Sequence, residues 1–274
     1  VSNIISTGAK YHTRSYERKL QQVFTKELLI DAAGRKQTPK LFVTTTKMNF
    51  FPATPFLMRS YGHKEGTVSS FEGSCDRHVW EAVRATALLQ VYSKWPASVR
   101  CVANEARKLA ITADTPIDAS DGNNFQDGAL VINNPTGVAI HECKRIWPGR
   151  ALDCVLSLGT GEPPPKTQSG GIKDTLLSVV ESCCSVDRVD ELLRVRRRRP
   201  SCAAATPQLQ YAYAPAQQEF LDPSKYYRFN PRGKAFDCEL DETNLEKIQA
   251  MASASAAWTE ENLPRIEQLC ATLR

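Results

Sequence analysis

No run of apolar residues in this sequence approaches the roughly 18 needed to cross a bilayer. The longest, such as Ala151 to Leu158, has the length of a buried strand. No basic segment followed by an apolar one opens the chain, so no signal peptide can be read. The first residue is Val1 rather than Met, which leads to the expectation that the true N-terminus lies upstream. The nine cysteines are odd in number and scattered, with Cys183 and Cys184 adjacent and no CxxC pair. That pattern reads as reduced, structural thiols in an intracellular compartment. His141 and Cys143 are close, but no second pair complements them at zinc spacing, and His12, His63 and His78 add none. These histidines read as structural or surface residues. No EF-hand pattern or acidic calcium loop occurs. No metal and no cofactor is expected.

The net charge of +5 invites a nucleic-acid reading, but Arg194, Arg196, Arg197, Arg198 and Arg199 account for all of it. A run of this kind reads as a solvated loop or tail, with attraction to anionic lipid headgroups or nucleic acid as alternatives. It lacks the interleaved aromatics that base stacking would use, so no nucleic-acid partner is expected.

The 274 residues are enough for one large domain or two small ones. Leu20, Val23, Phe24 and Leu28 recur at helical spacing, predicting one helix over residues 14–34 with Gly34 as its stop. Lys40 to Lys47 is rich in β-branched residues and predicts a strand, as does Phe56 to Tyr61. Trp80 to Leu89 and Asn134 to Ile146 read as helices. Ala151 to Leu158 suits a strand buried on both faces, as in a parallel sheet. Strands alternating with helices argue for an α/β architecture. Tyr92 to Asn124, Pro163 to Gly171 and Arg194 to Gln218 read as surface excursions. Asp241 to Arg274 reads as one or two amphipathic helices.

The sharpest local feature is Phe125-Gln126-Asp127-Gly128-Ala129-Leu130, followed by Val131-Ile132-Asn133-Asn134-Pro135. It places a carboxylate on a tight turn where Gly128 supplies freedom in φ, just before an apolar strand, Leu130 to Ile132. A carboxylate held there could serve as base to a serine hydroxyl within about 2.6–3.2 Å. An Asp-Gly pair alone marks only a turn, as Asp121-Gly122 illustrates.

The stretch FQDGALVINNPTGVAIHECKRIWP with ALDCVLSLGTG resembles the patatin-like phospholipases, in particular the animal calcium-independent gamma type. Three further segments agree in order. PKLFVTTTKM with FLMRSYGH is similar to the family's central strands, WEAVRATA to its WxAxRASxA helix, and YYRFNP to its late YFRFNP strand. The resemblance implies an α/β fold, a three-layer α/β/α sandwich of the patatin type. It makes Asp127 the catalytic aspartate, with Gly128 and Ala129 completing its motif. It implies calcium-independent acyl hydrolysis of membrane phospholipids by a Ser/Asp dyad in lipid catabolism. The phospholipid membrane surface would be the partner, with the protein peripheral on a mitochondrial, peroxisomal or ER membrane.

The departures are specific. The family's glycine-rich oxyanion loop (DGGGxRG) and nucleophile elbow (GxSxG) occur nowhere in this sequence, so the N-terminal part of the fold is expected to be missing. Ser6-Thr7-Gly8 mimics the tail of an elbow, but Ile4 stands where its first Gly belongs, which leaves Ser6 a weak candidate nucleophile. Segments 90–124 and 194–218 exceed the family's connections and are either lineage-specific insertions or gene-model errors. The expected organisation is a partial catalytic domain over 1–240 and a helical segment over 241–274. The chain alone is then expected to be inactive; the alternative is a truncated or decayed paralogue that retains lipid or partner binding.

Overall fold

A computed structural model of the chain describes residues 13–34, 38–49, 51–86, 122–165, 186–194, 222–238 and 242–273. The β-branched stretch Phe42–Lys47 forms β1, and the chain returns through Pro52 into β2 (Thr54–Arg59), which starts two residues before its expected position. The two strands pair antiparallel from Phe42↔Arg59 to Lys47↔Thr54. β3 (Glu72–Ser74) adds to β2 in parallel, and β4 (Phe125–Asp127) adds to β1 antiparallel. The result is a mixed sheet in the order β3-β2-β1-β4.

Alternation along β2 sends Phe56 and Met58 to one face and Leu57 to the other. Phe56 and Met58 pack with Phe125, with Leu29 of helix α2 (Leu29–Ala33), and with Ala82 and Ala85 of α3 (Val79–Thr86). Leu57 packs with Phe71, Val131, Ile132 and Val138 on the opposite face. Leu57 and Phe125 are wholly inaccessible, and burying each contributes about 2–3 kcal/mol. The single helix expected over 14–34 is two helices. α1 (Thr13–Phe24) ends where Thr25 takes φ 52°, and Gly34 closes α2 in right-handed rather than left-handed geometry.

Helix α4 (Thr136–Ile146) starts two residues after Asn134 because Pro135 occupies its N-cap. Beyond it, β5 (Val155–Leu158) pairs in parallel with β6 (Tyr226–Phe229), in register from Val155↔Tyr226 to Leu158↔Phe229. Tyr226 packs with Ile140 of α4 and with Val189 and Leu193 of α5 (Asp187–Arg194). Tyr227 and Phe229 face the other way and pack with Leu269, Trp258 and Ile266. Those residues come from the C-terminal helices α6 (Leu245–Glu261) and α7 (Leu263–Thr272). Helices therefore cover both faces of β6. β5 itself is not buried on both faces, since Leu156 is 44% and Leu158 69% exposed. No helix among the described residues is long and apolar enough to cross a membrane.

Candidate active site

Asp127 is the last residue of β4 and is held at both its backbone and its carboxylate. Its carbonyl oxygen accepts from Thr46 Oγ1 at 2.6 Å, which anchors it to β1. Its Oδ1 accepts from the Ala129 amide at 2.8 Å and so caps a single 3-10 turn, Gly128–Leu130. The residue is 8% exposed. Gly128 does not sit in the left-handed region, so the freedom in φ expected of it is not what the turn uses. A Cβ at this position would strike the carbonyl and hydroxyl of Thr44, so glycine is required by close approach to β1. The strand expected over Leu130 to Ile132 is also absent. The Val131 and Ile132 amides donate to the Gly128 carbonyl at 3.1 and 2.7 Å, winding this segment into a turn, while both side chains stay buried.

Seven residues after Asp127, a buried polar chain begins. Asn134 Oδ1 accepts from the Thr136 amide at 3.1 Å and from Thr136 Oγ1 at 2.6 Å. Thr136 Oγ1 lies 2.8 Å from Ser157 Oγ on β5, and Arg228 Nη1 on β6 donates to Ser157 Oγ at 3.1 Å. With the Thr136 proton committed to Asn134, Ser157 is the donor to Thr136. The bonds then run one way, from Arg228 through Ser157 and Thr136 to Asn134, whose Nδ2 donates to the Val186 carbonyl at 3.2 Å. The chain joins the segment after Asp127 to the carboxyl ends of β5 and β6, the end of a parallel pair where α/β proteins place ligands. Sequence reasoning missed this arrangement. Its available signal was a polar residue inside each apolar run: Ser157 within CVLSL and Arg228 within YYRF.

A second buried cluster centres on Glu142, 1% exposed. Its carboxylate accepts from Arg59 Nε at 2.7 Å, Arg59 Nη2 at 3.1 Å, Ser69 Oγ at 2.6 Å and the Tyr61 hydroxyl at 2.8 Å. His63 Nε2 lies 3.2 Å away. Burial pushes Glu142 up, but the hydrogen bonds from Arg59 and Ser69, the Arg59 charge and the bond from Tyr61 outweigh it and hold the carboxyl below its ordinary range. Burial, reinforced by the Glu142 charge, raises the Tyr61 phenol far above its ordinary value. The cluster ties the end of β2 and the loop after it to α4. His141, also buried, accepts from the Ser70 amide at 3.3 Å and meets Phe71 edge-on. At the far end of α4, roughly 16 Å from its start, Cys143, Trp147, Leu152 and Cys154 line an open surface depression. Burial raises the thiols of Cys143 and Cys154.

Ser6, His12, Asp121 and four of the five clustered arginines lie outside the described residues; Arg194 closes α5 and pairs with Asp190 at 2.9 Å. Among the described residues no group of three His, Cys, Asp or Glu side chains could hold a metal ion.

Comparison with known proteins bears on the site. The chain is 28% identical to phospholipase A I of Arabidopsis thaliana over 98% of its length, and 26% identical to human calcium-independent phospholipase A2-gamma over 97%. Over 47% of its length it is 34% identical to patatin-like phospholipase 1 of Plasmodium falciparum. The chain is similar to calcium-independent and patatin-like phospholipases. The resemblance read from the DGA, NNP and SLGTG segments is thus part of a similarity that runs along nearly the whole chain. The chain spans 20%, 28% and 19% of those three proteins' own lengths. No family model matches it.

Proposed function

We propose that the protein is a serine-type lipid acyl hydrolase of the patatin-like kind and that Asp127 is its general base. The observation that carries this reading is the fixed Asp127 carboxylate, buried at the end of β4 and held by the Ala129 amide. A base pinned by the turn that follows it needs no histidine to orient it. On this reading a serine hydroxyl gives its proton to Asp127 as its oxygen attacks the ester carbonyl of a phospholipid. Collapse of the tetrahedral intermediate expels the alcohol, which takes the proton from Asp127, and leaves an acyl-serine that water cleaves with Asp127 again as base. Backbone amides of a glycine-rich loop would stabilise the oxyanion. No such loop and no GxSxG occurs in these 274 residues, so we assign to this chain the aspartate half of the dyad within an incomplete three-layer sandwich. The substrate lies in a phospholipid surface, and the protein acts there peripherally, inside the cell.

The full-length protein tests this on phosphatidylcholine vesicles. Asp127→Asn should lower turnover at least about a hundredfold with its circular dichroism unchanged, while Asp121→Asn stays near wild type. Equal activity of the two variants would remove Asp127 from the mechanism. A wild-type protein without any ester turnover would favour the non-catalytic paralogue instead.

A further inference from the structure

Arg228 is a cation in an unusual place. It is buried at 8% exposure, yet its one hydrogen bond among the described residues goes to a neutral hydroxyl, Ser157 Oγ. That hydroxyl is committed in turn to Thr136, and Thr136 to Asn134, so every partner along the chain is neutral. The carboxylates of the neighbourhood are engaged elsewhere. Asp190 bonds Arg194 Nε through both oxygens at 3.0 and 2.9 Å, and Glu162 and Asp187 share Arg232 at 2.9 and 2.6 Å. None of them stands at ion-pair distance from Arg228 among the described residues. A buried charge with only neutral partners is costly, and the cost is relieved by an anion.

The surroundings suit one. A Cβ on Gly159 would come within 2.8 Å of Arg228 Nη2 and would strike the Asn230 side chain, so the guanidinium lies against bare backbone just past the end of β5. Thr136, two bonds along the chain, is the first residue of α4, whose N-terminal field is positive. A planar guanidinium set against the Gly159 backbone, with the Asn230 carboxamide beside it, presents a fork that matches the two oxygens of a phosphate.

We propose that Arg228 is an anion-binding residue that recognises the phosphate group of the substrate lipid, at a site completed by Gly159 and the first turn of α4. The identity of that lipid rests on the phospholipid reading above; the anion site rests on the geometry alone.

The experiment is isothermal titration of the chain at constant ionic strength with sn-glycero-3-phosphocholine and, separately, with inorganic phosphate. Saturable binding of the phosphodiester, weakened roughly tenfold or more in Arg228→Gln, is the expected result. Arg232→Gln, whose side chain already holds two carboxylates, should bind as wild type. Binding of both probes through Arg228 supports a site for phosphate oxygens in general. Binding of inorganic phosphate alone overturns the lipid assignment, and no saturable binding, or equal binding by Arg228→Gln, overturns the site. Should Arg228→Gln fail to fold, Arg228→Lys decides. It keeps the charge and loses the fork, so an affinity equal to wild type would sink the proposal. The titration involves no turnover. A full-length protein that hydrolyses no ester while this chain binds the diester through Arg228 would therefore defeat the hydrolase reading and leave the anion site standing.

Discussion

Glu142 shows how much a single side chain can hold. Its carboxylate collects four hydrogen bonds from three residues that lie 73 to 83 positions away in sequence. Replacing it by Gln leaves Arg59 buried opposite a neutral amide, and breaking a buried pair in this way costs about 3–5 kcal/mol. Because the folded-state carboxyl is held below the ordinary value of 4.5, its contribution is fully present above that value and is lost as pH falls through the folded-state value. Urea denaturation of wild type and Glu142→Gln should therefore show a large gap near neutrality that narrows on acidification below the ordinary carboxylate range. A gap that stayed constant from neutral to acidic pH would mean that packing, not charge, carries the effect. Tyr61 sets the opposite edge. Its phenol is raised, so the stability it contributes is intact below its ordinary value of 10.0 and is lost as pH climbs toward the folded-state value.

At the scale of elements, the C-terminal helices carry a clear division of labour. α6 starts at an Asn244 cap, whose Oδ1 accepts from the Glu246 and Lys247 amides at 2.9 and 3.4 Å. It turns only a narrow stripe inward, of which Trp258 meets Phe229 edge-on with ring centroids 6.0 Å apart. α7 contributes Leu269, 6% exposed, to the same cluster, whereas Leu245 at the start of α6 is 71% exposed. Leu269→Ala is expected to destabilise the chain by about 2–5 kcal/mol and Leu245→Ala by less than about 0.5 kcal/mol, read from denaturant midpoints. Similar losses for both would show that the helices do not dock through this face. These helices were legible in sequence because their ends carry capping residues and a proline. The break between α1 and α2 was not, since neither Gly nor Pro marks Thr25. Leu130 to Ile132 misled for a related reason: an apolar triplet suits a strand, but the Asp127 cap and the bare Gly128 wind it into a turn. Arg228 was legible only as part of a motif, because a guanidinium without a counterion among the described residues is a property of the packing around it and not of its neighbours in the chain.

Over the whole molecule, α4 is the member that joins the two sheets. Its Val138 packs with Leu57 on the four-stranded sheet and its Ile140 with Tyr226 on the smaller one. The two sheets differ in how far the chain must travel to make them. β1 and β2 meet after a turn of residues 48–53, whereas residues 159–225 separate the paired strands β5 and β6. Closing the longer loop costs about 2 kcal/mol more in chain entropy than closing the short one. The non-local pair is expected to form late for that reason. In a refolding experiment with pulsed hydrogen exchange, the amides of Thr44 to Thr46 should gain protection before those of Leu156 to Leu158; simultaneous protection would show that the larger sheet does not lead. During that interval β5 presents Leu156 and Leu158 on an unpaired strand. The interval is when the molecule is most exposed to sticking to its own kind, and refolding yield should fall with protein concentration.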